Sequence, residues 1–161
     1  MSIRRLAPKD MVAFLTVRSE GLRFAPESFR ITESDDRSAG REYWAKRLDE
    51  DVVVAFECDE VIVGVGGLQR IRGDKLSHKA LIWGMYVQPA ARGSGAASAI
   101  VDALIDSAPT GVRQIQLTVM ADNERARRLY ERHGFRVYAI EPASVRIGQE
   151  FKDEALMWRL L

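Results

Sequence analysis

The feature that most constrains the fold is a strand, a glycine-containing loop and a helix in direct succession. Residues Leu81–Val87 are apolar and rich in strand-forming side chains, which predicts a buried strand. The following loop carries Gly93 and Gly95, and residues Ser94–Ser107 then repeat apolar side chains at helical spacing. Such a succession is typical of an α/β sheet, and the N-terminus of its helix is a place where anions bind.

The side chains of this loop suit a pyrophosphate group. Glycines let backbone N–H groups approach an anion closely, and the first helical turn adds unpaired N–H groups at the positive end of the helix dipole. Arg92 adds a fixed cation, Ser94 offers a hydroxyl, and Ala96 and Ala97 keep the first turn small. From the loop alone, a phosphate site and a plain glycine turn that caps a helix are equally supported.

Two better-known nucleotide motifs fit this loop less well. A P-loop requires Lys followed by Ser or Thr after its last glycine, and this chain has neither there. The dinucleotide fingerprint needs a third glycine or an alanine where Ser98 stands, and a tight turn where the chain carries Pro89.

Length and composition narrow the class of protein. The 161 residues suit one hydrophobic core, so we expect a single domain over residues 1–161. The net charge of +1 gives no general attraction to nucleic acid or to a membrane surface, and we expect neither as a partner. A single cysteine, Cys58, and the lack of an apolar N-terminal run favour a cytoplasmic protein. His78 and His133 lack partners at metal-ligand spacing, so no metal is expected.

The remaining periodicities predict a mixed α/β sheet with helices on both faces. The predicted strands are Ser2–Leu6, Val52–Phe56, Val61–Leu68, Leu81–Val87, Gln114–Val119, Phe135–Ile140 and Ala155–Leu161. The predicted helices begin at Pro8, at Arg41, at Ser94 and after Asn123. Residues Arg23–Ser38 are predicted to form a loop with one helical turn around Glu27–Phe29.

Glycine and asparagine add local detail to this outline. Gly64, Gly66 and Gly67 interrupt a strand, which predicts bulges or the close approach of another backbone segment. Asn123 is predicted to cap the helix that follows it, and Gly134 to end that helix in a left-handed conformation.

Two segments together carry a family likeness. The acetyl-CoA motif of the GNAT superfamily, usually written Arg/Gln-x-x-Gly-x-Gly/Ala, resembles Met85-Tyr86-Val87-x-Pro89-x-x-Arg92-Gly93-x-Gly95-x-Ala97. The second motif of that family resembles Asn123-x-x-Ala126-x-x-Leu129-Tyr130-x-x-x-Gly134-Phe135. Both occur in the family's order and spacing with a strand between them, and the likeness runs from about Leu81 to Phe135.

The resemblance implies a GNAT-like fold, a mixed sheet splayed near its middle, with acetyl-CoA as co-substrate in the gap. It implies that backbone groups of Met85 and Val87 meet the pantetheine arm and the thioester, that Asn123 bonds the arm, and that Tyr130 lies near the sulfur. The cofactor-binding residues that it implies are Met85, Tyr86, Val87, Arg92, Gly93, Ser94, Gly95, Ala96, Ala97, Asn123, Ala126 and Tyr130. A homodimer is compatible with the family.

The implied reaction is transfer of an acetyl group to a primary amine of a small molecule or protein by direct attack on the thioester. The leaving thiolate needs a proton, and Tyr130 is the candidate acid, although a tyrosine at this helical spacing also suits core packing. Many relatives carry a basic carboxylate on the strand before the phosphate loop, whereas Leu81–Val87 has none. Glu20 and Glu27 are either contacts for a cationic substrate or solvated surface charges.

Two alternatives to this enzyme remain. The absent carboxylate permits a CoA-binding module without transfer activity. The glycine loop taken alone also permits another kind of nucleotide-binding domain.

Overall fold

The structure, a computed structural model, describes all residues 1–161 and contains seven strands and four α-helices. The strands are β1 (Ser2–Arg5), β2 (Val52–Cys58), β3 (Val61–Arg70), β4 (Lys79–Val87), β5 (Gln114–Met120), β6 (Arg136–Ile147) and β7 (Glu150–Leu160). The α-helices are α1 (Met11–Phe24), α2 (Glu33–Glu50), α3 (Ala96–Asp106) and α4 (Glu124–Arg132). Short 3-10 helices cover Pro8–Asp10, Pro26–Ser28 and Pro89–Ala91.

The strands form one mixed sheet in the order β1-β2-β3-β4-β5-β7-β6. β4 and β5 run parallel, while β1 with β2, β2 with β3, β5 with β7, and β6 with β7 pair antiparallel. The predicted mixed α/β class is therefore confirmed. None of the helices combines the length and the apolar character that crossing a lipid bilayer requires.

The chain divides into two compact units, which are described separately. The first unit contains residues Met1–Gln69 and Ile82–Ala108, and the second contains Arg70–Leu81 and Pro109–Leu161. The expectation of a single domain stays a prediction.

The first unit has a core in which α1 and α2 contribute large apolar side chains. α1 buries Met11, Phe14, Val17 and Leu22, which recur at helical spacing along one face. α2 begins earlier than predicted, because the Thr32 side chain accepts a hydrogen bond from the Asp35 N–H and so caps the helix. Part of the predicted loop is therefore helical, and Gly40, with φ of 79°, kinks the helix.

Three glycines on β3 make room mainly for side chains, and the pairing with β2 shifts register beside Gly64, as the predicted bulge requires. A Cβ atom added at Gly67 would lie 2.2 Å from the ring of Trp83, and one added at Gly66 would lie 2.4 Å from the sulfur of Met85. Gly64 faces Ile100 of α3 and Val87. The close approach predicted at these glycines is real, but side chains of β4 and α3 make most of it.

The neighbouring strand β4 reverses its side-chain alternation at one residue. Gly84 has a φ of 63°, a left-handed conformation that L residues with side chains rarely adopt. Residues two apart on a regular strand share a face, yet Trp83 lies over Gly67 whereas Met85 lies over Gly66, on the opposite face of β3. Met85 therefore shares the face covered by α3, and Trp83 faces α1 and α2.

The second unit is built around β5, β7 and β6. Ile115, Leu117 and Val119 of β5 are buried, as the predicted alternation requires. β6 and β7 are longer than predicted and form a hairpin that turns at Gly148. This extension was not predicted, because both strands are largely exposed between 141 and 154 and the short alternation at Val145 and Ile147 stands between polar residues.

Two of the β3 glycines differ in the room that they leave for a methyl group. Gly67→Ala places a methyl group 2.2 Å from the rigid Trp83 ring, whereas the atom nearest to a Cβ at Gly64 is the terminal Cδ1 of Ile100, at 3.0 Å. We expect Gly67→Ala to lower the free energy of unfolding by about 1–3 kcal/mol, the usual cost of overpacking a core. Gly64→Ala is the matched control on the same strand and should cost clearly less. Urea denaturation measures both, and an equal or reversed order would contradict the packing described.

Candidate functional site

The loop between β4 and α3 has a fixed backbone geometry in the first unit. Gly93 and Gly95 have φ angles of 86° and 89°, and a Cβ added at either glycine would meet no neighbouring atom. Glycine is therefore required here for its backbone conformation and not for lack of space. α3 begins at Ala96 with Gly95 as its N-cap, two residues after the predicted start at Ser94.

Two polar side chains of this loop bind its own backbone. The Ser94 hydroxyl donates to the carbonyl of Ala91 at 2.7 Å, and Arg92 Nε donates to the carbonyl of Val87 at 3.2 Å. A guanidinium has five N–H donors, so this one bond leaves most of the Arg92 head available to an anion. The exposed loop thus combines a cation with the N-terminus of an 11-residue helix.

Tyr86, between Met85 and Val87, is anchored by α1. Its hydroxyl donates to Glu20 Oε1 at 2.9 Å, and Gln88 Nε2 donates to Glu20 Oε2 at 2.7 Å. Burial, and then the bond to Glu20, raise the pKa of Tyr86 above the ordinary tyrosine value, so this hydroxyl stays protonated at neutral pH. The sequence motif contained Tyr86 but gave no sign of this long-range partner.

A buried arginine lies on the same face of β4. Arg18 is 4% exposed, its Nε donates to Asp36 Oδ1 at 2.7 Å, and its guanidinium lies 4.4 Å from the ring centre of Trp44. Burial lowers the pKa of Arg18, an effect that Asp36 opposes. Arg18 Nη1 and Trp83 Nε1 are buried without hydrogen-bond partners. Sequence reasoning missed this cluster, because its members lie far apart along the chain.

In the second unit, Asn123 caps α4 as predicted. Its Oδ1 accepts a hydrogen bond from the backbone N–H of Ala126 at 3.0 Å. This bond uses the carbonyl oxygen and leaves the two amide N–H donors of the side chain available. Gly134, with φ of 81°, ends the helix in the predicted left-handed conformation.

Tyr130 is buried within this unit. Its ring packs edge-on against Phe135, with ring centres 5.9 Å apart. Burial away from water raises the pKa of Tyr130 far above the ordinary tyrosine value. Tyr130 therefore keeps its proton over the whole physiological range, and its ring has the packing role that the spacing alone favoured.

An open cleft adjoins the Asn123 turn in the second unit. It has a volume of about 250 Å³ and is lined by Ala121, Asp122, Phe151, Lys152 and Asp153. On the exposed face of α4, Arg128 pairs with Glu124 at 2.6 Å, the ordinary use of such charges at helical spacing.

The predicted site residues thus fall into two groups. The first unit brings together Met85, Tyr86, Val87 and the loop Arg92–Ala97 along one strand end and one helix start. The second unit holds Asn123, Ala126 and Tyr130 on α4 and its cap.

Comparison with known proteins covers most of the chain. The model of the acetyltransferase (GNAT) family matches residues 16–135, which include both groups of predicted site residues. The mycothiol acetyltransferase of Actinosynnema mirum is 29% identical over 142 residues, covering 84% of this chain and 44% of that protein. The chain therefore spans less than half the length of the curated relatives it matches.

Solved structures share the fold along the whole chain. A GNAT-family acetyltransferase from Streptococcus pneumoniae has a TM-score of 0.87 at 21% identity, covering 99% of each chain. The Salmonella typhimurium protein yncA, solved with its cofactor acetyl-CoA, has a TM-score of 0.83 at 24% identity, covering 100% of this chain and 94% of that one. At these identities the likeness shows the shared fold.

Proposed function

The chain belongs to the acetyltransferase (GNAT) family of acetyl-CoA-dependent acyltransferases, and on that premise we propose that it transfers an acetyl group from acetyl-CoA to a primary amine. The observation that carries the proposal is the loop Arg92–Ala97. Its two left-handed glycines open the N-terminus of α3, and Arg92 lies beside it.

The loop is the proposed site of the pyrophosphate of acetyl-CoA. The unpaired N–H groups of the first turn of α3 donate to the phosphate oxygens, and the helix dipole favours their charge. Arg92 adds a charge-assisted hydrogen bond, which is about twice as strong as a neutral one. Gly93, Ser94, Gly95, Ala96 and Ala97 contribute mainly their backbone.

The remaining donor contacts are proposed from the family motif. Backbone groups of Met85, Tyr86 and Val87 meet the pantetheine arm and the thioester, and the amide of Asn123, followed by Ala126, bonds the arm. The Val87 N–H is the proposed donor to the oxyanion that forms when an amine attacks the thioester.

Tyr130 is the proposed proton donor to the CoA thiolate. Its raised pKa keeps the proton in place before the reaction, and the free thiol has a pKa of about 8.5. Because a tyrosine with so high a pKa gives up its proton reluctantly, it acts as a hydrogen-bond donor that shares its proton while the C–S bond breaks.

The acceptor is proposed only as a primary amine. The relative from Actinosynnema mirum is named for mycothiol, but this chain spans less than half of it, so deacetylated mycothiol is one member of the amine panel rather than the expected substrate. A cytoplasmic location and a homodimer also stay proposals.

Arg92 provides a direct test of the phosphate site. We expect Arg92→Ala to weaken acetyl-CoA binding about tenfold, a loss of about 1.4 kcal/mol, because a charge-assisted bond is removed. Titration calorimetry measures the affinity, and Arg37→Ala, which removes an exposed arginine of α2, is the control and should bind normally. Failure of the unmodified protein to bind acetyl-CoA at millimolar concentration, with ADP bound instead, would support another nucleotide-binding function.

Tyr130→Phe tests the proton donor while keeping the ring that packs on Phe135. We expect the turnover number to fall at least tenfold, since general acid catalysis contributes about 10²–10⁴. Acetyl-CoA affinity should stay within twofold. The measurement is CoA thiol release under conditions where chemistry limits the rate, and unchanged turnover there would exclude Tyr130 as the acid.

A further inference from the structure

A carboxylate reaches the end of β4 from the helix packed against it. Glu20 of α1 accepts the Tyr86 hydroxyl on one oxygen, at 2.9 Å, and the Gln88 amide on the other, at 2.7 Å. The two donors flank Val87, the proposed oxyanion donor. An acid absent from the sequence of the strand is therefore supplied to the same strand by α1.

The packing of α1 makes this approach possible. Gly21 follows Glu20, and a Cβ added there would lie 2.8 Å from the ring of Tyr86. The missing side chain lets the Tyr86 ring lie against the helix, so that its hydroxyl reaches the carboxylate one residue earlier. The orientation of the Glu20 carboxylate is thereby fixed by two donors and one close contact.

Glu20 keeps part of its capacity to accept hydrogen bonds. A carboxylate has about four acceptor positions, and the two neutral donors occupy two of them. The neighbouring cations have other partners, because Arg18 pairs with Asp36 at 2.7 Å and Arg23 with Glu33 at 3.8 Å. Glu20 is half-buried and makes no ion pair, so a cation can still approach it.

The charged and titratable groups around Glu20 leave its carboxylate able to bind a cation. From β4, Tyr86 presents a neutral hydroxyl, and the Arg92 guanidinium is near enough to lower the pKa of Tyr86, although burial and the Glu20 bond raise it more. On α1, Arg18 and Arg23 are held by their own acids. A half-buried carboxylate without an ion-pair partner is stabilised by a cation such as an ammonium group.

We propose that Glu20 binds the ammonium group of the acceptor and accepts its proton, with Tyr86 and Gln88 as positioning residues. The inference rests on the proposed acetyl transfer. It also specifies the acceptor as an amine that arrives protonated, such as an alkyl ammonium ion, rather than one that is already neutral.

The ammonium nitrogen loses two protons during the reaction. The first goes to a Glu20 oxygen, and the freed lone pair forms the C–N bond at the thioester carbon. As the C–S bond breaks, the thiolate takes up the second, passed on through the Tyr130 hydroxyl, which is protonated before and after the step. Glu20 then releases its proton to water, so that the products are an amide, free CoA thiol and one proton.

A merely structural role for Glu20, tying α1 to β4, predicts different behaviour. A structural defect would slow every acceptor alike. Loss of a proton acceptor slows an alkyl amine, which is protonated at neutral pH, but has little effect on methoxyamine, whose nitrogen is already neutral there. Raising the pH should also restore the alkyl amine reaction, because the amine is then largely deprotonated before it binds.

The test compares Glu20→Gln with Glu42→Gln. Glutamine has nearly the same shape as glutamate and can still accept from Tyr86, and Glu42 is an exposed acid of α2. We expect Glu20→Gln to lower kcat/KM for an alkyl amine about 10²-fold at pH 7, to lower it less than threefold for methoxyamine, and to recover above pH 9. Glu42→Gln should match the unmodified protein with both acceptors.

The other possible outcomes separate the role of Glu20 from acetyl transfer itself. An equal loss with both acceptors, or no loss with either, would overturn the role of Glu20 while leaving acetyl transfer intact. No acetyl transfer by the unmodified protein to any amine would overturn both proposals. If Glu20→Gln does not fold, Tyr86→Phe retains the carboxylate but loosens it, and the proposal requires a smaller loss that is again confined to the alkyl amine.

Discussion

The left-handed conformation of Gly84 determines which side chains of β4 pack against the helices on each face of the sheet in the first unit. A regular strand would place Trp83 and Met85 on one face. With a φ of 63° at Gly84, Trp83 packs towards α1 and α2 while Met85 packs towards α3. A Cβ at Gly84 would also lie 2.9 Å from Arg18 Nη1, so the glycine admits the buried arginine as well. Without this reversal, neither helix layer could pack as it does.

α1 is held by specific polar contacts on two sides. Arg18 is buried with Asp36 among aromatic rings, whereas Glu20, only two residues later, binds two neutral donors of β4. A buried charge that loses its partner is costly, so the Arg18–Asp36 pair fixes α1 against α2. Glu20 is thereby held at a defined place beside the strand that the proposed thioester site uses.

Local features were the ones that the sequence could predict. Three such features depend on backbone conformation within a few residues: the glycine loop at Gly93 and Gly95, the Asn123 cap and the helix end at Gly134. The structure contains each of them at the predicted residues. The start of α2, the long β6–β7 hairpin and the link from Glu20 to Tyr86 depend on packing between distant segments. A mostly polar segment such as 141–154, with one short alternation at Val145 and Ile147, gives little signal for such contacts.

The central claim is acetyl transfer to an amine, and product stoichiometry tests it most directly. The protein is incubated with acetyl-CoA and a panel of primary amines, and mass spectrometry measures the N-acetyl product while a thiol reagent measures free CoA. The account predicts one N-acetyl product for each CoA released with at least one amine. Release of CoA with acetate as the only product, or no release with any amine, would contradict it.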